Sequence, residues 1–115
     1  MVTNVTSLTG NGLKDWLIQR VTAVFLAIYA LFLLGFILSH PQLTYQQWLT
    51  LFSNPIMKLG SILSLLAVLL HAWVGLWTVT TDYIKPTSLR IMVQMVILGV
   101  LLLLFTWGIM ILWGL

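Results

Sequence analysis

Three apolar runs, each long enough to cross a bilayer as a helix, take up most of this chain. The hydrocarbon core of a membrane is about 30 Å thick, and a helix needs about 20 apolar residues to cross it. Runs at about 16–38, 56–79 and 89–115 meet that requirement. The composition leaves no room for a water-facing surface: 61% of the residues are hydrophobic and 6% are charged, against about 25% charged in a soluble domain. The expected fold class is therefore an all-α integral membrane protein with three transmembrane helices. With no repeat and no low-complexity tail, residues 1–115 read as one unit.

The connections differ in kind. Residues 40–55 form a polar loop in which LTYQQWLTLF spaces its apolar groups as a short surface helix does. Residues 80–88 are short, TTDYIKPTS, and Pro86 suits the first turn of a third helix, where its missing N–H costs nothing. The polar, uncharged start MVTNVTSLTGNG lacks the basic residues of a secretory leader, so the first span reads as retained. Three spans put the N-terminus and the 80–88 loop on one side, with Lys14, Arg20, Lys85 and Arg90, and leave Lys58 on the other. Cationic loops stay in the cytoplasm, so the N-terminus is expected inside and the C-terminus outside. Trp16, Trp77, Trp48 and Trp113 suit the two membrane interfaces. The five basic residues are too scattered for a nucleic-acid surface, and the absence of cysteine excludes disulfides and thiolate metal sites within the chain.

Against this background His71 stands out. It is the sole ionisable side chain between Lys58 and Asp82, inside LGSILSLLAVLLHAWVGLWTV. An imidazole in that setting requires a partner. At about 100° per residue, Gly60, Ser64, Ala67, Gly75 and Thr78 all fall within about 40° of its direction, as does Asp82 if the helix continues. Such a small-residue stripe is what a helix-packing seam looks like. His71 itself admits three readings: an interhelical hydrogen bond, a proton relay, or a metal ligand. A relay wants acidic neighbours at membrane depth, and the span has none. Neutral imidazole ligates haem iron, and flanking Gly and Ala leave room for a flat macrocycle. The other histidine, His40, sits beside Pro41 at the far surface, so a second axial ligand would have to come from another polypeptide or from a second copy of this one.

Three more residues have double readings. Arg20, just inside the first span, is either an interfacial anchor or a partner for an anionic group such as a haem propionate. Asp82 is either a counter-ion to Lys85 or Arg90, or part of a polar site with Tyr83. Tyr83 is either an interfacial aromatic or a hydrogen-bond donor to a quinone carbonyl at the membrane edge.

The run H-A-W-V-G-L-W at His71 to Trp77, followed by T-D-Y-I-K-P at Thr81 to Pro86, closely resembles the small hydrophobic membrane anchor of bacterial succinate dehydrogenases, the succinate:quinone oxidoreductases. The resemblance extends along the chain: N-G at Asn11–Gly12, R-x-T-A from Arg20 to Ala23, L-T-Y-x-x-W from Leu43 to Trp48, and L-R-x-M-x-Q from Leu89 to Gln94. Thr78 departs from the larger polar residue expected there in relatives. The resemblance implies a three-helix anchor that pairs with a second membrane anchor subunit, also of three helices, to form a bundle holding one haem b. It implies docking of an iron–sulfur subunit and a flavoprotein subunit on the cytoplasmic face of the bacterial inner membrane. His71 matches the axial haem ligand, Tyr83 the ubiquinone hydrogen-bond donor with Asp82 in support, and Arg20 a position near the haem propionates. The implied function is transfer of electrons from the iron–sulfur subunit to ubiquinone, in a chain that does not itself oxidise succinate. The alternatives are a fumarate reductase-type anchor, and a non-redox three-span scaffold that would leave His71 without a purpose.

Overall fold

The structure is a computed structural model that describes residues 7–114, so Leu115, the end of the third expected span, lies outside the described residues. Among the described residues there are four helices: α1 (Gly12–Ser39), α2 (Tyr45–Ser53), α3 (Pro55–Tyr83) and α4 (Thr87–Gly114). Helices α1, α3 and α4 are long and apolar enough to cross a membrane, and no strand occurs among the described residues. In lipid every backbone group must find its partner inside the protein, which a helix achieves within one segment. The 28 residues of α1 rise about 42 Å at 1.5 Å each, so its ends reach past the hydrocarbon.

Polar residues close those ends. The Asn11 side chain accepts hydrogen bonds from the N–H groups of Leu13 and Lys14 at the start of α1. Just before it, Gly10 takes φ +71°, a left-handed conformation that glycine adopts without strain. That turn brings Thr9 back onto Asp15, whose Oδ1 accepts from the Thr9 hydroxyl at 2.6 Å and from its N–H at 3.2 Å. Helix α2 opens with a capping box between Thr44 and Gln47. Asn54 ends α2 and caps α3, with Pro55 at the first helical position. Pro86 lies just before α4 rather than inside it, and its carbonyl accepts the first bond, from Arg90 N–H at 2.9 Å.

Helix α3 is the axis of the bundle, packing against α1, α4 and the short α2. Thr22 and Tyr29 of α1 meet His71 and Ser61 of α3, so the two helices run antiparallel. Gln94 and Gly108 of α4 meet Thr80 and Leu65, so α4 is antiparallel to α3 as well. The interior is unusually polar: Asp15, Thr22, Ser61, Ser64, Thr80 and Gln94 are buried, while Leu31 and Leu103 are 67% and 70% exposed. Burying apolar side chains gives little drive for association in lipid, so packing and interhelical hydrogen bonds hold such helices together.

Candidate functional site

His71 lies near the middle of α3, half-buried, with its Nδ1 3.1 Å from the Thr22 hydroxyl of α1. Thr22 is buried, and its oxygen also lies 2.7 Å from the Ile18 carbonyl and 3.2 Å from the Gln19 carbonyl. The other imidazole nitrogen, Nε2, makes no hydrogen bond among the described residues. The contact expected of a packing seam is thus present on one ring nitrogen, and the second is left open.

One turn along, Gly75 of α3 faces Gln19 of α1, where a Cβ would lie 3.3 Å from Gln19 Nε2. Gln19 Oε1 is buried without a hydrogen-bond partner among the described residues. A cavity of about 510 Å³ opens here, lined among others by Asp15, Trp16, Gln19, Arg20, Gly75 and Thr78. Arg20 is exposed, and its guanidinium carbon sits 5.2 Å from the centre of the Trp16 ring, within range of a cation–π contact. A cation, an unpaired amide oxygen and a glycine therefore share one cleft at the end of the α1·α3 seam.

Asp82 and Tyr83 form the last turn of α3, because the helix runs one turn beyond the apolar span. Both are exposed, Tyr83 to 81%, and neither makes an ion pair or side-chain hydrogen bond among the described residues. Asp82 is accordingly not tied to Lys85 or Arg90. The structure brings Arg20 into the cleft and His71 onto Thr22, and leaves Asp82 and Tyr83 apart from both, facing outward. His40 is far from this group, about 27 Å along α1 from Thr22 at 1.5 Å per residue. It is stacked on Phe36 at 4.3 Å, and its Nδ1 donates to the Phe36 carbonyl at 2.8 Å. A second cavity of about 860 Å³ lies at that end, lined by Phe25, Phe32, Phe36 and His40 among others.

The stripe around His71 divides on packing. Ser64 and Ala67 are buried, and Ser64 donates to the Gly60 carbonyl at 2.9 Å. Gly60 has open space where a Cβ would be, and Thr78 is exposed. The stripe is thus covered at Ser64 and Ala67 and open at Thr78. Sequence reasoning missed Thr22 and Gln19 as members of the site. The sole signal for Thr22 was its place in R-x-T-A, and for Gln19 there was none.

A family model for the succinate dehydrogenase/fumarate reductase transmembrane subunit matches residues 6–107. A succinate dehydrogenase hydrophobic membrane anchor subunit of Coxiella burnetii is 40% identical over 102 residues, covering 89% of each chain. A protein of the same description from Rickettsia bellii is 31% identical over 80 residues, covering 70% of this chain and 64% of its own. The family match extends over the capped start of α1, the His71 region of α3 and most of α4, and this chain belongs to the succinate dehydrogenase/fumarate reductase transmembrane subunit family.

Proposed function

We propose that this chain is one half of a two-chain anchor in a bacterial succinate:quinone oxidoreductase, and that it helps to hold one haem b and one ubiquinone. The observation that carries this reading is the unpartnered Nε2 of His71 at membrane depth. An imidazole nitrogen left open in an apolar span is expensive unless something fills it. Haem iron would do so, and the exposed Thr78, two turns along the same stripe, leaves that flank of α3 open. Haem b, when bound, supplies a one-electron carrier close to the quinone.

The chain's own residues then have separate tasks. His71 would hold haem iron through Nε2, and a further protein ligand would come from the other membrane anchor, since His40 lies at the far end of α1. Arg20 is free of any carboxylate among the described residues and lines the cleft, so it is available to pair with a haem propionate. Tyr83 offers its O–H to a ubiquinone carbonyl oxygen, with Asp82 beside it as a proton-exchanging group. Reduction to ubiquinol takes up two electrons and two protons. The electrons arrive from the iron–sulfur protein, which receives them from the flavoprotein where succinate is oxidised. The protons enter from the cytoplasmic surface, on which the excess of Lys and Arg puts the α3–α4 turn. The exposed apolar faces of α1 and α4 meet lipid and the second anchor. The succinate dehydrogenase description of both relatives favours this reading over a fumarate reductase-type anchor, and a haem-ligating His71 argues against the version of the latter that lacks haem.

A reduced-minus-oxidised spectrum of the complex purified from membranes tests the proposal. A b-type signal that disappears in His71→Ala is expected. An unchanged signal in that variant would remove His71 as the ligand.

A further inference from the structure

We infer that Thr22 is a positioning residue for His71: its hydroxyl fixes the imidazole as the Nδ1–H tautomer and so keeps the Nε2 lone pair free for iron. This role deepens the haem reading and rests on it. It follows from counting protons. A threonine hydroxyl has one proton to give and two lone pairs to receive with. The carbonyl oxygens of Ile18 and Gln19, at 2.7 and 3.2 Å, only accept. The 2.7 Å contact is the optimum length for an O–H···O bond, so the single proton goes to Ile18. What Thr22 then presents to His71 Nδ1, at 3.1 Å, is a lone pair. That contact is attractive when Nδ1 carries hydrogen. The reverse assignment, a proton given to Nδ1, would leave two oxygens facing each other at 2.7 Å with nothing between them. A neutral imidazole has one N–H, so Nε2 is the bare nitrogen.

The geometry holds the ring as well as the proton. Thr22 is buried, β-branched and bonded back to its own helix, so its oxygen has little freedom. Flipping the ring by 180° would replace nitrogen with carbon at Thr22 and lose the bond. A metal-ligating histidine generally donates its other N–H to an acceptor, which orients it and raises its basicity. A hydroxyl already committed to a carbonyl is such an acceptor, without the full charge of a carboxylate. Its removal should leave a less basic ligand, which favours ferric iron less and raises the haem potential.

The test compares Thr22→Val, Thr22→Ala, Thr22→Ser and His71→Ala in the complex purified from membranes. It reads haem content, haem midpoint potential and the low-spin EPR g-values of the ferric haem. Valine keeps the shape of threonine and lacks the hydroxyl; alanine lacks it without valine's bulk. Both are expected to weaken haem retention about tenfold, raise the potential and move the g-values. If the whole tenfold falls on the ferric form, the rise is about 59 mV for a one-electron couple. Serine restores the hydroxyl and is expected to return all three readouts to the parent values. Parental potential and g-values in the valine or alanine complex would overturn the inference, as would a serine complex shifted as far as valine. A haem spectrum that survives His71→Ala is a different failure, that of the haem reading itself.

Discussion

The two long seams on α3 are built from similar material and end differently. Toward α4, Gln94 is 0% exposed and donates to the Thr80 hydroxyl at 2.9 Å, which itself bonds back to Leu76 and Trp77. Lower down, Gly108 lets Leu65 approach so closely that an added Cβ would lie 2.8 Å from its Cδ1. Polar groups there are paired, and the space left around Leu65 and Gly108 is a small, mainly apolar cavity of about 270 Å³. Toward α1, the Thr22–His71 bond satisfies one ring nitrogen and leaves the other, Gln19 Oε1 has no partner among the described residues, and a cleft remains beside Arg20. In its polar pairing, one helix thus presents a completed face and an incomplete one. Interhelical hydrogen bonds in membranes contribute about 0.6 kcal/mol each on average, so the completed face serves cohesion. The incomplete face keeps unsatisfied groups that cohesion alone would have removed, and these are the groups that a ligand or partner can complete.

Substitutions on the two sides should therefore separate into different readouts. The largest effect is expected from Tyr83→Phe, at the outward end of α3. It removes one O–H and little else, because Tyr83 is exposed and its side chain makes no contact that holds the bundle. Ubiquinone reduction should fall on the order of 10²-fold, the lower end for loss of a positioned proton donor, with haem content and assembly unchanged. Steady-state succinate:ubiquinone turnover beside succinate oxidation by an artificial acceptor measures this. Equal quinone turnover in the two proteins would remove Tyr83 from the site.

Gly108→Ala should do the opposite. The new methyl meets both Cδ atoms of Leu65 at 2.8 and 2.9 Å, so Leu65 must change rotamer or α4 must move out. Overpacking of this kind costs about 1–3 kcal/mol. The expected result is a lower thermal midpoint for the purified complex with an unaltered haem potential, relieved in the Leu65→Ala/Gly108→Ala double variant. A shifted haem potential in the single variant would show that the two seams are not independent.

Much of this architecture is readable in the chain alone. The three spans follow from hydropathy, and α2 from the spacing in LTYQQWLTLF together with Thr44 and Gln47 at its start. Angular counting placed Ser64, Ala67 and Gly75 on the side of His71, and the family was legible from the residues around His71 and Tyr83. What did not show was pairing between helices. Thr22 became a partner of His71 through the rotation of α1 against α3, which a nearly uniform apolar surface does not encode. Ser61 and Tyr29, 2.6 Å apart, were hidden for the same reason. The contacts of Thr80 and Thr81 at the end of α3 are with Gln94, a residue of the next helix, and with the carbonyl one turn back, and hydropathy shows neither. Gly108 carried no signal, because a glycine in an apolar run reads alike whether it faces Leu65 or, as Gly60 does, open space.

The smallest expected effect tests the incomplete face most directly. In Gly75→Ala the new Cβ would stand 3.3 Å from Gln19 Nε2 and touch nothing else within 4 Å. The obstacle is the far end of a flexible side chain that makes no hydrogen bond among the described residues, so Gln19 can give by a few tenths of an ångström. Replacing glycine by alanine inside a helix contributes roughly 0.5–1 kcal/mol in its favour, which offsets the crowding. The thermal midpoint should therefore stay within about a degree or two of the parent, unlike that of Gly108→Ala. Haem content, measured on the same samples, decides what the cleft is for. A methyl group that this chain tolerates but that lowers haem occupancy would mean that the space beside Gly75 is filled by the cofactor in the assembled anchor. Full occupancy would mean that Gly75 serves the approach of Gln19 alone, and that the cofactor does not fill the space beside it.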